Sequence, residues 1–538
     1  MSFTRTRRLT TTAPVVAAAL VASASGVAQP AGTAAKGPSR AAAGTELQTP
    51  QVAADPCDRR WPAHSTKPSA GAHSLGRTAP TTGGPAASRR PNILTIMVDD
   101  MRADEIRGPW MKHTRNLIGK RGATFRNSFA PYPLCGPARA SFLTGKYSHN
   151  HGVRDNTKPS AFRRLHDGNT VATWLDRDGS KGDYTTAFLG KYINGYADPT
   201  YVPPGWDHWN ASLGKTTQQA RSTKLSRNGH GVIDLDGQFQ TKAYGERGAR
   251  LVSRFAKRKR PFFMTLSFSA PHVGGPREPD DPPGLRTPAR LPKNRHLYED
   301  RIVRPQGVRG EPCNRSKPSA VTDLPRIGPA VQRKIVELRQ QRAQSLVTVD
   351  AQVRRVMGAL RRSGELSNTY VIFTSDNGFF LGEFRQRAGK RLSYEPALRT
   401  PTLVRGPGIS RGVRPRAPFT SIDFAPTIAA MARVKKHGRV DGASLLSAAR
   451  SGESKWRRAI LTDAGPYEGE PWYGRGVRAR GLMYARYRDP RVTEELFDIA
   501  ADPQQNHNVV DRERYRKATK RMRTAYRALR DCRGRECR

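Results

Sequence analysis

Nine residues have side chains whose types and placement could do chemistry together. Asp99-Asp100 and Asp376-Asn377 offer four oxygen donors, a set that suits a hard divalent cation, Ca²⁺ or Mg²⁺, rather than zinc. A cation held by three carboxylates attracts an anionic ester and neutralises charge on its non-bridging oxygens. Lys191, Lys390 and Arg139 add positive charge, and His272 can give or take a proton near neutral pH. Each residue alone has an ordinary reading: an Asp pair as a cap, a loop histidine, a surface lysine. Together they make a site that lacks only a nucleophile. Cys135, in "YPLCGPARASFLTG", is the further residue to be explained.

Cysteine usage singles out that residue. The chain has five, at Cys57, Cys135, Cys313, Cys532 and Cys537, so an oxidising compartment leaves one thiol to be explained. Cys532 and Cys537 lie close in sequence, and Cys57 with Cys313 could form a second bridge, although four cysteines allow three connectivities.

The elements that must position these residues are legible as apolar runs. "NILTIMVDD", "TTAFLGKY", "FFMTLSFSAPH" and "TYVIFTSDNG" are short, rich in β-branched or aromatic residues, and closed by polar or turn residues. That pattern predicts buried strands of a mostly parallel sheet. The candidate residues fall at or just beyond the carboxyl ends, where open α/β sheets bind ligands. Helical periodicity over Ala330 to Gly364, among other stretches, supplies the flanking helices. The expected fold is α/β, with a mostly parallel central sheet between helices and a smaller C-terminal α+β subdomain.

The 538 residues divide into four regions by composition. Residues 1–28 carry arginines, a short apolar run and small residues ending near Ala28, which reads as a secretory signal. Arg7-Arg8 also fits a twin-arginine route. Residues 29–90 are rich in Ala, Gly, Pro, Ser and Thr without periodicity and read as a flexible leader. A catalytic domain is expected over 91–435 and the smaller subdomain over 436–538. No other apolar stretch is long enough to span a bilayer, so the expected location is secreted or otherwise extracytoplasmic.

The net charge of +48 favours anionic partners, while an arginine coding bias would spread the same charge with no partner at all. The basic stretches at 254–261 and 514–530 read first as solvated helix faces. Nothing in the sequence points to a specific nucleic acid.

At "CGPAR", Cys135, Pro137 and Arg139 stand in the spacing Cys-x-Pro-x-Arg, and here the chain resembles the type I sulfatases of the alkaline-phosphatase-like superfamily. The likeness continues in the family's order through "PNILTIMVDD", "LGKYINGY", "SFSAPH", "FTSDNGFFLGEFRQRAGK" and "ELFDIAADPQQNHN". It implies that a formylglycine-generating enzyme oxidises Cys135 to Cα-formylglycine, so this cysteine need not persist as a thiol. It further implies that Asp99, Asp100, Asp376, Asn377 and modified Cys135 hold the metal. Arg139 would steady the formylglycine hydrate, Lys191 and Lys390 would hold sulfate oxygens, and His272 would protonate the leaving group or contact the sulfate. One hydroxyl of the hydrate attacks sulfur and the alcohol leaves; the other collapses to the aldehyde and expels sulfate.

Two positions depart from the family pattern. Ala138 stands where Ser is frequent, and Ile193, followed by Asn194, stands two residues after Lys191 where many members carry a histidine. "GKYINGY" is similar to the glucosamine-6-sulfatase and extracellular endosulfatase branch, which shifts the implied substrate toward 6-O-sulfated amino sugars or related glycans, with an anionic polysaccharide as partner. The competing readings are a phosphodiesterase or phosphonate monoester hydrolase of the same superfamily, and a non-catalytic polyanion-binding protein.

Overall fold

Parallel strands buried on both faces alternate their side chains between two cores, and the first strand shows this directly. In β1 (Asn92–Val98) Ile93 and Met97 join one hydrophobic cluster while Leu94, Ile96 and Val98 join the other. In a computed structural model, the described residues are 89–538 apart from 157–159, 177–183, 259, 308–315, 454–458 and 466–471. All of them belong to one unit, Pro56–Arg538. The signal and leader regions, Cys57 and Cys313 lie outside the described residues.

The central sheet has seven strands: β1, β2 (Ala123–Phe125), β3 (Thr185–Gly190), β4 (His208–Ala211), β5 (Phe262–Ser267), β6 (Thr369–Ser375) and β7 (Thr402–Arg405). Their order across the sheet is β2-β7-β6-β1-β5-β3-β4. β1 pairs in parallel with β5 and β6, and β3 in parallel with β4 and β5; β7 alone runs against its neighbours. The four strands expected from sequence are β1, β3, β5 and β6. β7 went unread because "TPTLVRGPG" is short and embedded in Pro and Gly.

Helices cover both faces. On one side lies α1 (Cys135–Thr144), with an aromatic cluster of Phe188, Tyr192, Tyr196, Trp206 and Trp209 nearby. On the other, α2 (Gln240–Ala256) packs against α3 (Pro329–Arg362), whose Leu346, Val349, Val353, Val356 and Leu360 lie against the sheet. Helix α3 starts with Pro329 at its first position, where no N–H is needed, and stops before Gly364, whose φ of 76° is cheap only without a Cβ. A further helix, α4 (Phe424–Ala432), joins the α1 side.

The C-terminal part is an antiparallel meander, β8 (Ile460–Ala464), β9 (Gly474–Ala479), β10 (Leu482–Tyr487) and β11 (Glu494–Asp498), with α5 (Arg516–Leu529) on one face. Helix α5 packs Ala518, Met522, Ala525, Tyr526 and Leu529 inward at helical spacing, so its many basic residues form a solvated outer face. Cys532 and Cys537 form a disulfide just beyond it.

One buried ion pair fastens the meander to the loops that precede α3. Lys317 Nζ lies 3.1 Å from Glu495 Oε1 and 4.0 Å from the centre of the Phe497 ring, with both charged side chains fully buried. Glu495 also accepts hydrogen bonds from Tyr394 and Tyr487. Lys317→Met should therefore strand a buried carboxylate and cost roughly 3–5 kcal/mol, read from the urea midpoint. Adding Glu495→Gln should recover a large part of that loss.

Candidate functional site

Level strand ends explain why residues nearly 300 positions apart meet. Val98 pairs with Ser375, Met97 with Ser267, and Ser267 with Gly190, so β1, β3, β5 and β6 finish side by side. The next residues along each strand are Asp99-Asp100, Asp376-Asn377 and Lys191, which the register alone delivers to one edge. Asp100 turns the chain at φ 68°. Its N–H donates to Asp376 Oδ1 at 3.0 Å, and Met101 N–H donates to Ser375 Oγ at 2.8 Å, which locks the two strand ends together.

Helix α1 brings Cys135 into this edge as its first residue. Leu134 is the extended N-cap, Pro137 falls in the first turn where its missing N–H costs nothing, and Gly145 at φ 69° ends the helix. Gly136 N–H donates to Asn156 Oδ1 at 2.7 Å, and a Cβ there would stand 2.8 Å from that oxygen.

Cys135 Sγ lies 3.2 Å from Asp99 Oδ1 and 2.9 Å from Lys390 Nζ. Lys390 also contacts Asp100 Oδ1, and Lys191 contacts Asp99 Oδ2. His272 Nε2 is 3.7 Å from Asp100 Oδ2, and its Nδ1 faces the Val273 carbonyl at 2.6 Å. Nδ1 is thus engaged with the backbone, and Nε2 is the ring nitrogen that faces the site. Arg139 ties the edge from below: Nε donates to Asp376 Oδ2 at 2.8 Å, and Nη1 donates to the Lys191 carbonyl at 2.6 Å and to Ser267 Oγ at 2.8 Å. All nine residues singled out by sequence thus come together.

Three carboxylates face three cations here, and for Asp99 and Asp100 the cations outweigh burial. Burial alone would raise the Asp99 carboxyl, but Lys191, with help from His272 and Arg139, overrides it and holds the group well below the usual range. Asp100 is lowered in the same way, chiefly by Lys390 against its own burial. Lys191 and Lys390 are raised despite burial because Asp99 and Asp100 favour their charged forms. Burial and the neighbouring Asp99 push the Cys135 thiol up to about 12. As a thiol, Cys135 is uncharged at neutral pH and a poor nucleophile. Burial also lowers His272.

The residues fit a hard cation. Asp99, Asp100, Cys135 and His272 offer ligand atoms within 4.8 Å of one another. Asn377 donates its Nδ2 to Asp100 Oδ1 at 2.7 Å, while its Oδ1 is buried with no hydrogen-bond partner among the described residues. A buried acceptor without a donor beside acidic side chains is satisfied by a cation.

Sequence reasoning missed Arg342. This fully buried residue of α3 donates from Nη2 to the Asp100 carbonyl at 2.6 Å and from Nε to Glu105 Oε1 at 2.7 Å, with its guanidinium 4.5 Å from the Phe379 ring centre. Ser267 and Ser375 were likewise unread. Of the two residues noted after Lys191, Ile193 is buried in the aromatic cluster, and Asn194 Oδ1 has no partner among the described residues.

The family model "Sulfatase" matches residues 91–434, and a model described as the C-terminal part of N-sulphoglucosamine sulphohydrolase matches 382–532. The human N-acetylglucosamine-6-sulfatase is 30% identical over 486 residues, covering 81% of this chain and 84% of that protein. The extracellular sulfatase SULF-1 homolog of Drosophila melanogaster is 31% identical over 411 residues, covering 74% of this chain; the chain spans 35% of that relative's length. The chain likewise spans 52% of an extracellular sulfatase homolog from Caenorhabditis elegans. Two solved structures share the fold. One is a protein in complex with D-glucosamine-2-N,6-O-disulfate (TM-score 0.67, 23% identity, 81% of this chain and 96% of that one). The other is a phosphonate monoester hydrolase from Silicibacter pomeroyi (TM-score 0.58, 22% identity, 82% and 96%). The family match runs unbroken from the first strand of the sheet, through the helix that opens with Cys135, past Asp376 and Lys390, and on this ground the chain belongs to the sulfatase family.

Proposed function

We propose that the protein is an extracytoplasmic sulfuric ester hydrolase acting on sulfated sugars, with 6-O-sulfated glucosamine units as the first substrate to try. The observation that carries the reading is Cys135 at the start of a buried helix, in contact with Asp99 and Lys390. Conversion of Cys135 to formylglycine by a maturing enzyme would supply, as the hydrate, the oxygen nucleophile that a neutral thiol does not. A Ca²⁺ or Mg²⁺ ion held by Asp99, Asp100, Asp376 and Asn377 would supply Lewis-acid charge to the ester oxygens. Lys191 and Lys390 would bind sulfate oxygens, Arg139 would hold the strand ends and residue 135 in place, and His272 would serve the leaving oxygen. Three carboxylates against three cations make the protein shell close to neutral, so a bound divalent ion would leave it net positive and suited to an anionic ester.

That charge balance also suits a phosphate diester, and the fold shared with a phosphonate monoester hydrolase keeps this second reading in view. Parallel assays decide between them. Sulfate release from 6-O-sulfated glucosamine and from 4-nitrophenyl sulfate should exceed hydrolysis of an aryl phosphate diester, and the reverse ranking would replace the proposal.

His272→Ala tests the proton's source. If His272 protonates the leaving oxygen, turnover of sugar sulfates should fall on the order of 10² to 10⁴-fold, and 4-nitrophenyl sulfate far less, because a good leaving group needs little help. Equal losses would make His272 a sulfate-binding group and move the proton to Lys390 or another neighbour.

A further inference from the structure

A cleft of about 1180 Å³ opens along the β2 edge of the central sheet, and none of the nine candidate catalytic or metal-binding residues lines it. Its walls include Arg107, Lys120, Arg126, Arg414 and Arg416. Among the described residues none of these five is in ion-pair contact with a carboxylate. The two acidic residues of the lining are already engaged: Asp104 by Arg102 at 3.0 Å, and Glu395 by Arg478 at 2.6 Å. The cleft therefore presents positive charge that its own acidic residues do not compensate.

Three of the five charges, Arg126, Arg414 and Arg416, follow the strand register. Val413 pairs in parallel with Ala123, Thr124 N–H donates to the Val413 carbonyl at 2.8 Å, and Arg126 N–H to the Pro415 carbonyl at 3.2 Å. This register puts Thr124 beside Arg414 and Arg126 beside Arg416, all on one face of the edge ladder. Successive same-face residues recur at about 6.7 Å along a strand and about 4.8 Å across strands. One small anion needs convergent donors, whereas a row of this kind matches a polymer that carries charge on successive units. The volume also exceeds the roughly 300–1,000 Å³ of ordinary small-ligand pockets. Single-stranded nucleic acid would call for exposed rings on which bases stack. The lining's aromatic residue, Phe125, is only 4% exposed.

We propose that this cleft is a second, non-catalytic binding site for a sulfated polysaccharide chain. The choice of a sulfated polymer rests on the sulfatase reading of the catalytic site; the cleft's own chemistry calls for a linear polyanionic sugar.

Heparin is the probe, and two variants with equal charge removed are compared with the unaltered protein. The cleft variant carries Lys120→Gln, Arg126→Gln, Arg414→Gln and Arg416→Gln; the control carries Lys517→Gln, Lys520→Gln, Arg521→Gln and Arg527→Gln on the exposed face of α5. At 0.15 M salt the cleft variant should bind heparin on the order of 10²-fold more weakly, with a shallower salt dependence, because phosphate-like and sulfate contacts act through counterion release. The control should change less than about threefold, since charges more than about 8 Å from the bound chain are screened. Turnover of 4-nitrophenyl sulfate should be unchanged in both. Amide exchange on the unaltered protein gives a readout that needs no variant: heparin should protect residues 120–126 and 412–416. Equal losses in the two variants, an unaffected cleft variant, or no protection at those segments would overturn the proposal, as would tighter cleft-dependent binding of a charge-matched single-stranded DNA. A protein inert toward sulfate esters that still binds heparin through the cleft would sink the catalytic reading and leave this one standing.

Discussion

Cys135→Ala should leave a folded protein whose turnover of sulfate esters falls on the order of 10⁴-fold or more, because it removes the proposed nucleophile while sparing the rest of the site. The structure makes the expectation specific. Cys135 is buried, its Sγ contacts Asp99 and Lys390, and its thiol is pushed up to about 12. A thiolate mechanism would need a depressed value, as found beside cations without a neighbouring carboxylate. Mass spectrometry of the peptide spanning Cys135, from natively produced protein, should show the thiol replaced by an aldehyde in proportion to activity. Full activity with only unmodified cysteine would overturn the proposal, and so would an active Cys135→Ala variant. Circular dichroism and the urea midpoint check that the variant is folded, since one sulfur removed from this position leaves only a small cavity.

How much of this was legible in the sequence depends on what each residue does. Asp99, Asp376 and Lys191 could be read because they follow uninterrupted apolar strands, and a charge at such a strand end stands out. Their meeting could not be read from any one segment; it comes from the register Val98 with Ser375 and Ser267 with Gly190. Arg342 was hidden among the many arginines of α3, yet it left a trace. It falls on the helix's apolar stripe, four residues after Leu338 and four before Leu346, where an unpaired arginine would be costly to bury. Its partners, the Asp100 carbonyl and Glu105, come from a segment more than 230 positions away, so nothing local signals them. The charge of the β2 edge was equally invisible. Arg414 and Arg416 look like ordinary loop residues until the pairing of Val413 with Ala123 extends the sheet by one row.

The cation makes the other large prediction. Chelation should lower turnover by several orders of magnitude, and added Ca²⁺ or Mg²⁺ should restore it. The same ions should raise thermal stability, because a ligand that binds only the folded state adds about 2.7 kcal/mol at a hundred times its dissociation constant. Asp99→Ala separates this from a merely structural role. In the unaltered protein Asp99 contacts Lys191 and Cys135, so its removal leaves a buried ammonium without its carboxylate as well as a poorer cation site. Destabilisation alone would follow from the first effect in any buried ion pair. Loss of the Ca²⁺-dependent rise in stability would follow only from the second. Lys317→Met is the control, because it breaks a buried pair that includes none of the nine site residues and should keep the full response to Ca²⁺. Activity that survives exhaustive metal removal would refute the assignment of Asp99, Asp100, Asp376 and Asn377. A calcium response that persists undiminished in Asp99→Ala would move the ion away from the end of β1.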